Sequence, residues 1–379
     1  MPSAYPSPGV LGLVCLFSGM VTAALWRAIT YPFRSDCAST FHKDVFFAAL
    51  RTMLHRITIA QSRYLSPSTT TTYLNFCKEK TLGPVTLRCS REDGTTVLAH
   101  WIGSPDAEVV VLYLHGGGYT QPATAGYCHY WHHLTEVSNA LGKARSASAL
   151  LLEYSLAPYE RFPIQLTEVV AVLLELINER RRSPSTIILS GDSAGGGLAL
   201  SLLSHLLHPH PEVRPIKLSG PLCGALLFSP WVSFQTDHDS VTRNANKDMI
   251  VPTMLRRWAA MYLDKSNEDP ETDPGAVHGD SYSEPASNDA TWWEGMHRIV
   301  SDVFVWSGGD EVFADPIKDF GVGFKKGWTE GGGEAERALF VETPRRSHIE
   351  PIMGFMIDRQ KNGDDQEAVE VWLNGRLEK

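Results

Sequence analysis

The chain has 379 residues, of which 43% are hydrophobic and 20% are charged, and its formal net charge at pH 7 is −9. This length and composition are sufficient for one large globular domain with an extensive core and a smaller cap. The negative charge argues against nucleic acid as a partner. The 6 cysteines follow no C-x-x-C or zinc-ligand spacing, so we expect neither a disulfide framework nor a metal site.

Residues 10–26 are mostly apolar and contain no charged side chain. As a helix they rise about 26 Å, slightly less than a hydrocarbon core of about 30 Å. Extending the helix from Arg27 to Tyr31, with the guanidinium of Arg27 reaching the membrane surface, closes that gap. The pattern favours a single-pass anchor over a cleaved signal peptide or a buried cap helix.

The charges around this segment indicate an orientation. Residues 1–9 hold no Lys or Arg, and several basic residues follow the apolar stretch: Arg27, Arg34, Lys43 and Arg51. A signal peptide usually carries positive charge before its apolar stretch, so this distribution favours the anchor. The positive-inside rule then predicts that the globular part of the chain, which follows this segment, lies in the cytosol.

The next segments combine helices with turns. Residues 40–80 have a helical pattern that becomes turn-rich, with a polar connector at Ser66–Thr72. Residues 83–103 predict an antiparallel hairpin that turns at Asp93–Gly94.

A first glycine motif follows a predicted strand. Residues 108–114 are rich in β-branched side chains and lead directly into a His-Gly-Gly-Gly motif that begins at His115. Glycine lets backbone N–H groups approach a substrate oxygen without obstruction. We expect an oxyanion hole formed by four backbone N–H groups, those of Gly116, Gly117, Gly118 and Ala194. In such a hole the loss of one donor costs about 2.7–4 kcal/mol.

His115 itself allows two interpretations. Its imidazole is either a second catalytic base or a support that holds the glycine loop in shape. We favour the structural role.

The second glycine motif contains the candidate nucleophile. Residues 185–190 indicate a short buried strand, and residues 194–207 are rich in Ala and Leu and predict a helix. The Gly-x-Ser-x-Gly pentapeptide Gly191–Gly195 lies between them. A sharp strand-to-helix turn exposes a serine hydroxyl but crowds the backbone, so small residues are needed two positions on either side. Ser193 is therefore the predicted nucleophile, and it requires a base that takes its proton.

The two motifs, in this order, resemble those of the hormone-sensitive-lipase-like branch of the α/β-hydrolases, and the resemblance covers roughly residues 95–360. Further segments resemble the same family: Glu153–Pro158, Phe162-Pro163, Ser229–Trp231, Gly309–Val312 and Ser347-His348. Tyr159 departs from the family, which usually has Glu there, and we expect only local hydrogen bonding to differ. The resemblance implies an α/β-hydrolase fold, with a mostly parallel central sheet, helices on both faces and a helical cap.

The narrower resemblance uses the N-terminal apolar segment. With that segment, the chain is most similar to fungal membrane-anchored steryl-acetate-type deacetylases and to hydrolases of fungal secondary metabolism. This similarity implies an association with the endoplasmic reticulum. Because the similar deacetylases face a lumen, it leaves the side of the membrane open.

The catalytic histidine is sought after Ser193, because the chain order in this fold is Ser, acid, His. His238 and His278 lie in acidic, polar stretches typical of a surface, and His297 falls in a predicted cap helix. His348 follows a short predicted strand and a turn, in a loop where catalytic groups of an open α/β sheet belong. We favour His348 as the base.

The catalytic acid is predicted in the loop after the strand 302–306. Asp310 follows the exit loop of that strand and is placed to accept the His348 N–H, which fixes the tautomer and stabilises the imidazolium. Glu311 and Asp315 are the rivals. We expect Glu311 to point away and Asp315 to cap a helix before Pro316.

A polar insertion interrupts the strand–helix rhythm after Trp231. Residues 237–296 predict a lid over the pocket, helical at residues 252–263. Four aromatic side chains are candidates for lining an apolar site, although packing within the cap is favoured for each: Trp258, Tyr262, Trp292 and Trp293. The predicted division is an anchor or signal segment at 1–31, cap helices and a connector at 32–82, hydrolase core at 83–236 and 298–379, and the lid at 237–297.

Together these features predict a cofactor-free serine carboxylesterase or deacetylase. It would act on a fairly apolar small-molecule ester through an acyl-enzyme intermediate. The N-terminal segment would associate the protein with a membrane, and the sequence does not predict the oligomeric state. One alternative is a biosynthetic hydrolase whose reaction is lactone opening, thioester release or cyclisation. Another is a ligand-binding protein on an inactive hydrolase scaffold. A complete Ser193, Asp310 and His348 set argues against that last alternative.

Overall fold

An eight-stranded sheet forms the centre of the molecule in the computed structural model, which describes residues 8–265, 272–357 and 363–378. The strands are β1 Thr86–Ser90, β2 Thr96–Ile102, β3 Val109–Leu114, β4 Ala147–Glu153, β5 Ile187–Asp192, β6 Gly224–Phe228, β7 Val303–Gly308 and β8 Ala338–Thr343. Their order is β1-β2-β4-β3-β5-β6-β7-β8. Strand β2 pairs antiparallel with β1 and β4, and all other pairs are parallel. The predicted mostly parallel α/β fold is confirmed.

The central strands are mostly apolar because helices cover the sheet. Every residue of β3, β5, β6 and β7 is buried. The helices are α1 Val10–Thr30, α2 Phe41–Arg56, α3 Ile59–Leu65, α4 Thr69–Lys80, α5 Ala125–Ala140, α6 Ile164–Leu174, α7 Ser193–Leu207, α8 Asp239–Arg243, α9 Pro252–Tyr262, α10 Ala314–Glu330, α11 Glu350–Ile357 and α12 Gly363–Leu377.

Helices α2, α3 and α4 occupy most of the segment between α1 and the sheet. The hairpin predicted at residues 83–103 is confirmed as β1 and β2. The polar connector predicted at Ser66–Thr72 is wrong in its second half, because α4 begins at Thr69. There the Ser68 side chain accepts a hydrogen bond from Thr71 N at 3.1 Å. An N-cap bond of this kind starts a helix within a polar sequence.

Helix α1 lies against α2 and exposes most of its apolar side chains. Of its residues, only Leu16 and Arg27 are buried, so α1 is not a buried cap helix. Arg27 does not reach outward as expected: its guanidinium pairs with Asp44 of α2, and both side chains are buried. The paired carboxylate neutralises the buried cation, and the pair fixes the end of α1 to α2.

The predicted lid contains α8, α9 and several short turns, and its residues 266–271 lie outside the described part of the chain. Helix α9 packs its Trp258 against the first glycine motif, where a Cβ on Gly118 would overlap the indole ring. The domain boundaries themselves stay a prediction.

Candidate active site

The turn between β5 and α7 presents Ser193 in a strained conformation. Ser193 has φ of +51°, a left-handed value that costs a non-glycine residue about 1–3 kcal/mol. A Cβ on Gly195 would overlap the carbonyl oxygens of Leu114 and His115, which shows how closely the turn approaches the end of β3. The strand–turn–helix context predicted for the second motif is confirmed.

His348 lies in the loop after β8, and its acid partner is Glu311. His348 Nδ1 is 2.6 Å from Glu311 Oε2, and both side chains are buried. The other oxygen of this carboxylate accepts Gly308 N at 2.9 Å. His348 Nε2 is buried and has no hydrogen-bond partner in the described part of the structure, and it shares a cavity with Ser193. This nitrogen is placed to act on a group inside that cavity.

Asp310 does not contact His348, so the prediction that it holds the histidine is wrong. Its carboxylate instead receives Lys247 Nζ at 2.9 Å, and its N–H donates to Arg346 O at 2.9 Å. In the tight turn after β7, neighbouring side chains point in different directions, and it is the longer Glu311 that reaches the imidazole. The rival Asp315 contacts α8, where it accepts Ser240 N at 2.7 Å.

The four predicted oxyanion donors do not all stay available. Gly116 N donates to Asp192 Oδ1 at 2.7 Å, so the expectation that Gly116 contributes to the oxyanion hole is wrong for this conformation. The N–H groups of Gly117, Gly118 and Ala194 stay candidates. The three glycines and Ser193 line the same cavity.

Asp192 is a site residue that the sequence analysis missed. Its buried carboxylate accepts hydrogen bonds from Tyr113 at 2.5 Å, Tyr127 at 3.0 Å and the Gly116 N–H. Burial raises its pKa to about 6, against the lowering effect of these three donors. Through the Gly116 hydrogen bond, Asp192 connects the first glycine motif to the turn that holds Ser193. Its place inside the Gly-x-Ser-x-Gly motif was visible, but the two tyrosines are distant in sequence.

His115 has the contacts of a supporting residue. Its ring stacks on Tyr154 with centroids 4.3 Å apart, and its Nδ1 is 2.8 Å from Gly116 O. The Tyr154 hydroxyl donates to the backbone carbonyl of His115 at 2.7 Å. Burial lowers the pKa of His115 to about 4, so its imidazole is neutral at pH 7. Its structural role stays a prediction that these contacts favour.

Several carboxylates surround the buried imidazole of His348. Burial alone lowers its pKa, but the Glu311 hydrogen bond and the charges of Glu311, Asp248 and Asp192 outweigh burial and raise it. Asp248 was also missed from sequence. It is fully buried, burial raises its pKa to about 6, and it accepts Val312 N at 2.8 Å.

The cavity above Ser193 has a volume of about 440 Å³ and mainly apolar walls. Helix α2 forms one wall with Phe46, Leu50, Met53 and Leu54. The lid forms a second wall with Met249, Ile250 and Trp258, and α11 forms a third with Met353 and Met356. Of the four aromatic candidates only Trp258 lines this cavity as far as the described residues show. Tyr262 stacks on Tyr119, and Trp293 packs on Phe324.

Comparisons with known proteins bear on both the fold and the chemistry. A family model described as the alpha/beta hydrolase fold matches residues 111–319. The putative acetyl-hydrolase LipR of Mycobacterium tuberculosis is 34% identical over 173 residues, which cover 45% of this chain and 50% of that protein. Steryl acetyl hydrolase 1 of Saccharomyces cerevisiae is 24% identical over 139 residues, which cover 36% of this chain and 29% of that protein.

The solved structures give a likeness at the level of the fold. An esterase from the bacterial hormone-sensitive lipase family superposes with a TM-score of 0.56 at 20% identity, covering 98% of each chain. Among curated relatives, this chain spans half the length of the first named above and less of the second.

Proposed function

Because the chain belongs to the alpha/beta hydrolase fold family, we propose that it is a serine carboxylester hydrolase, an esterase or deacetylase. This membership confirms the family prediction made from the two glycine motifs. The observation that carries the proposed activity is the buried His348–Glu311 pair, whose free Nε2 opens into the same cavity as the strained Ser193. The names of the relatives, which include acetyl-hydrolases, support the same reaction class.

The proposed mechanism assigns each side chain one role. Ser193 Oγ attacks the ester carbonyl while His348 Nε2 takes its proton, and Glu311 stabilises the imidazolium through Nδ1. The N–H groups of Gly117, Gly118 and Ala194 hold the negative oxygen of the tetrahedral intermediate. His348 then protonates the leaving alcohol, and water releases the acyl group by the reverse sequence.

The proposed substrate is an apolar small-molecule ester. Aliphatic, aromatic and methionine side chains line most of the cavity, and methionine adapts its shape to irregular apolar ligands. An acetyl group fills only a small part of about 440 Å³, so most of this volume is available to the rest of the ester. Lactone opening, thioester release and cyclisation use the same residues, and substrate trials separate them.

We propose that α1 associates with a membrane, as a single-pass segment of the endoplasmic reticulum. The support is a helix from Val10 to Phe33 that is long and apolar enough to cross a bilayer and is mostly exposed. A helix near the N-terminus of a chain also fits a signal sequence, and amino-terminal sequencing of the mature protein separates the two.

The test of the activity is hydrolysis of p-nitrophenyl esters from acetyl to dodecanoyl, with Ser193→Ala as the control. We expect serine-dependent turnover and labelling of Ser193 by a fluorophosphonate. A folded protein that neither turns over any ester nor reacts with the probe contradicts the proposal and favours the ligand-binding alternative.

A further inference from the structure

Two segments meet behind the catalytic acid. The acid loop, residues 309–312, follows β7, and the brace, residues 244–248, follows α8. Asn244 Nδ2 donates to Gly309 O at 3.0 Å and to Glu311 O at 2.8 Å. Lys247 Nζ donates to Asp310 at 2.9 Å, and Asp248 accepts Val312 N at 2.8 Å. Each residue of the acid loop therefore forms a hydrogen bond with a side chain of the brace.

The contacts of Asn244 and Asp248 are made by side chains that lie away from solvent. Asn244 and Asp248 are completely buried, so water cannot replace a partner that is lost. An unpaired buried polar group costs about 1–3 kcal/mol, and a buried charge costs more. Asp248 is also a buried carboxylate that takes no part in the proposed proton transfers.

The outer side of the brace is fixed by α2 and the chain before it. Arg51 of α2 donates from one guanidinium nitrogen to Asn246 O at 3.2 Å and to Asp248 O at 2.6 Å. Asn246 Nδ2 donates to Asp36 at 2.6 Å, and Arg27 Nη2 donates to Asn246 O at 3.2 Å. The brace thus lies between the N-terminal helices and the acid loop.

We propose that Asp248 and Arg51 are positioning residues of the hydrolase, which hold Glu311 in line with His348 Nδ1. Glutamate has a long side chain, so a bond of 2.6 Å to His348 requires a fixed backbone at Glu311. Asp248 fixes the acid loop, and Arg51 fixes the brace. The inference rests on the proposed function, because Glu311 has its catalytic role only there. It makes α2 part of the catalytic scaffold as well as a wall of the cavity.

The experiment compares full-length variants on p-nitrophenyl butyrate, after wild type and Ser193→Ala have established serine-dependent turnover. Arg51→Met removes the guanidinium at nearly constant size, and Asp248→Asn replaces one of the two carboxylate oxygens that accept Val312 N and Met249 N by an amide donor. Arg56→Met is the matched control, since Arg56 ends the same helix on the exposed surface. Arg51→Lys keeps the charge and is the rescue variant.

We expect Arg51→Met and Asp248→Asn to lower kcat by about tenfold or more with KM within about twofold of wild type. Arg51→Lys recovers part of that loss, and Arg56→Met does not differ from wild type. The groups that face His348 are Glu311, Asp192 and Asp248, and neutralising Asp248 also moves the acid limb of kcat/KM to lower pH. That shift follows from the lost charge itself, so the loss of kcat at nearly unchanged KM is the readout of positioning.

The proposal is overturned if folded Arg51→Met and Asp248→Asn keep wild-type kcat, whether or not the acid limb moves. Thermal unfolding and circular dichroism establish that each variant is folded. If Arg51→Met does not fold, Asp248→Asn decides, and an unchanged kcat overturns the proposal. Failure of wild type to hydrolyse any ester instead contradicts the proposed function.

Discussion

At the scale of single residues, two neighbouring carboxylates have separate partners. Glu311 is buried against His348, whereas Asp310 pairs with Lys247 at a partly exposed position. We expect Glu311→Gln to lower kcat by about 10³-fold or more, because the amide neither stabilises the imidazolium nor fixes the tautomer. Asp310→Asn weakens only the contact between the acid loop and Lys247, and we expect its kcat to stay within about tenfold of wild type.

Steady-state kinetics of the two isosteric variants measures this contrast. Each serves as the control of the other, because both remove one negative charge from adjacent positions. A larger loss in Asp310→Asn than in Glu311→Gln contradicts the assignment of Glu311 and restores the residue expected from sequence.

The raised pKa of His348 predicts the pH dependence of the reaction. The neutral imidazole is the proton acceptor, so kcat/KM rises with pH as His348 loses its proton. Burial lowers this pKa, but the hydrogen bond and charge of Glu311, with the charges of Asp248 and Asp192, raise it above the ordinary 6.5. We expect the acid limb of wild type to have its midpoint above 6.5.

Residual turnover of Glu311→Gln gives the sign of this effect. Without the carboxylate, burial favours the neutral ring more strongly, so the midpoint moves to lower pH than in wild type. The measurement is kcat/KM from pH 5 to 9 in buffers of constant ionic strength. A midpoint that moves to higher pH, or does not move, shows that Glu311 does not control the protonation of His348.

Sequence context identified some site residues because their signals are local. Ser193 stands between a strand and a helix, and His348 follows a strand and a turn, so a few neighbouring residues are enough. The choice between Asp310 and Glu311 depends on how one turn rotates its side chains, which no local pattern records. Sequence did not identify Asp248 as a site residue for another reason, because its hydrogen-bond partner Val312 is distant in sequence.

At the scale of elements, α9 contributes one side chain, the indole of Trp258, to the lid wall of the cavity. Trp258 is buried against Gly118 and faces the space above Ser193. Trp258→Ala removes the largest side chain of the lid wall, where Met249 and Ile250 remain, so we expect the preferred acyl chain of p-nitrophenyl esters to lengthen by several carbons. The thermal midpoint falls as well, because truncating a buried tryptophan costs about 3–5 kcal/mol.

Trp292→Ala is the matched control for that variant. Trp292 belongs to the same insertion, but it contacts His208 and does not line the cavity. We expect its chain-length profile to match wild type. Identical profiles for Trp258→Ala and wild type show that the acyl chain does not use this wall.

Elements differed in how well sequence predicted them. Strands β3 and β5 were predicted because their apolar runs are buried on both faces. The start of α4 was not, because its polar threonines resemble a loop until Ser68 caps the helix. The wall that α2 gives to the cavity depends on long-range packing, and an amphipathic pattern does not specify the partner of its apolar face.

At the scale of the whole molecule, side chains of the N-terminal helices contact the candidate active site. Lys43 of α2 pairs with Glu350, and this carboxylate accepts Ser347 N at 2.9 Å, beside His348. Arg51 reaches the brace behind Glu311 from the same helix. Side chains of one helix therefore contact the residues that hold both loops, the brace behind Glu311 and Glu350 beside His348, and other side chains of that helix line the cavity. The helix that follows the proposed anchor is thus in contact with the reaction site.

The last prediction concerns the exposed face of α1. Val14, Val21 and Leu25 are 56%, 58% and 60% exposed on a helix whose other face packs on α2. Replacing all three by Ser removes apolar surface that a bilayer would bury, at about 1.5–3 kcal/mol for each side chain. We expect this triple variant to leave the membrane pellet on alkaline carbonate extraction, while wild type stays in it. Three exposed apolar residues outside α1 provide the control, as Val322→Ser, Leu339→Ser and Val371→Ser. Retention of the α1 variant in the pellet, equal to that of wild type, contradicts the role of this face in membrane association.

Ester hydrolysis by the released variant then measures directly whether the candidate active site works without the membrane.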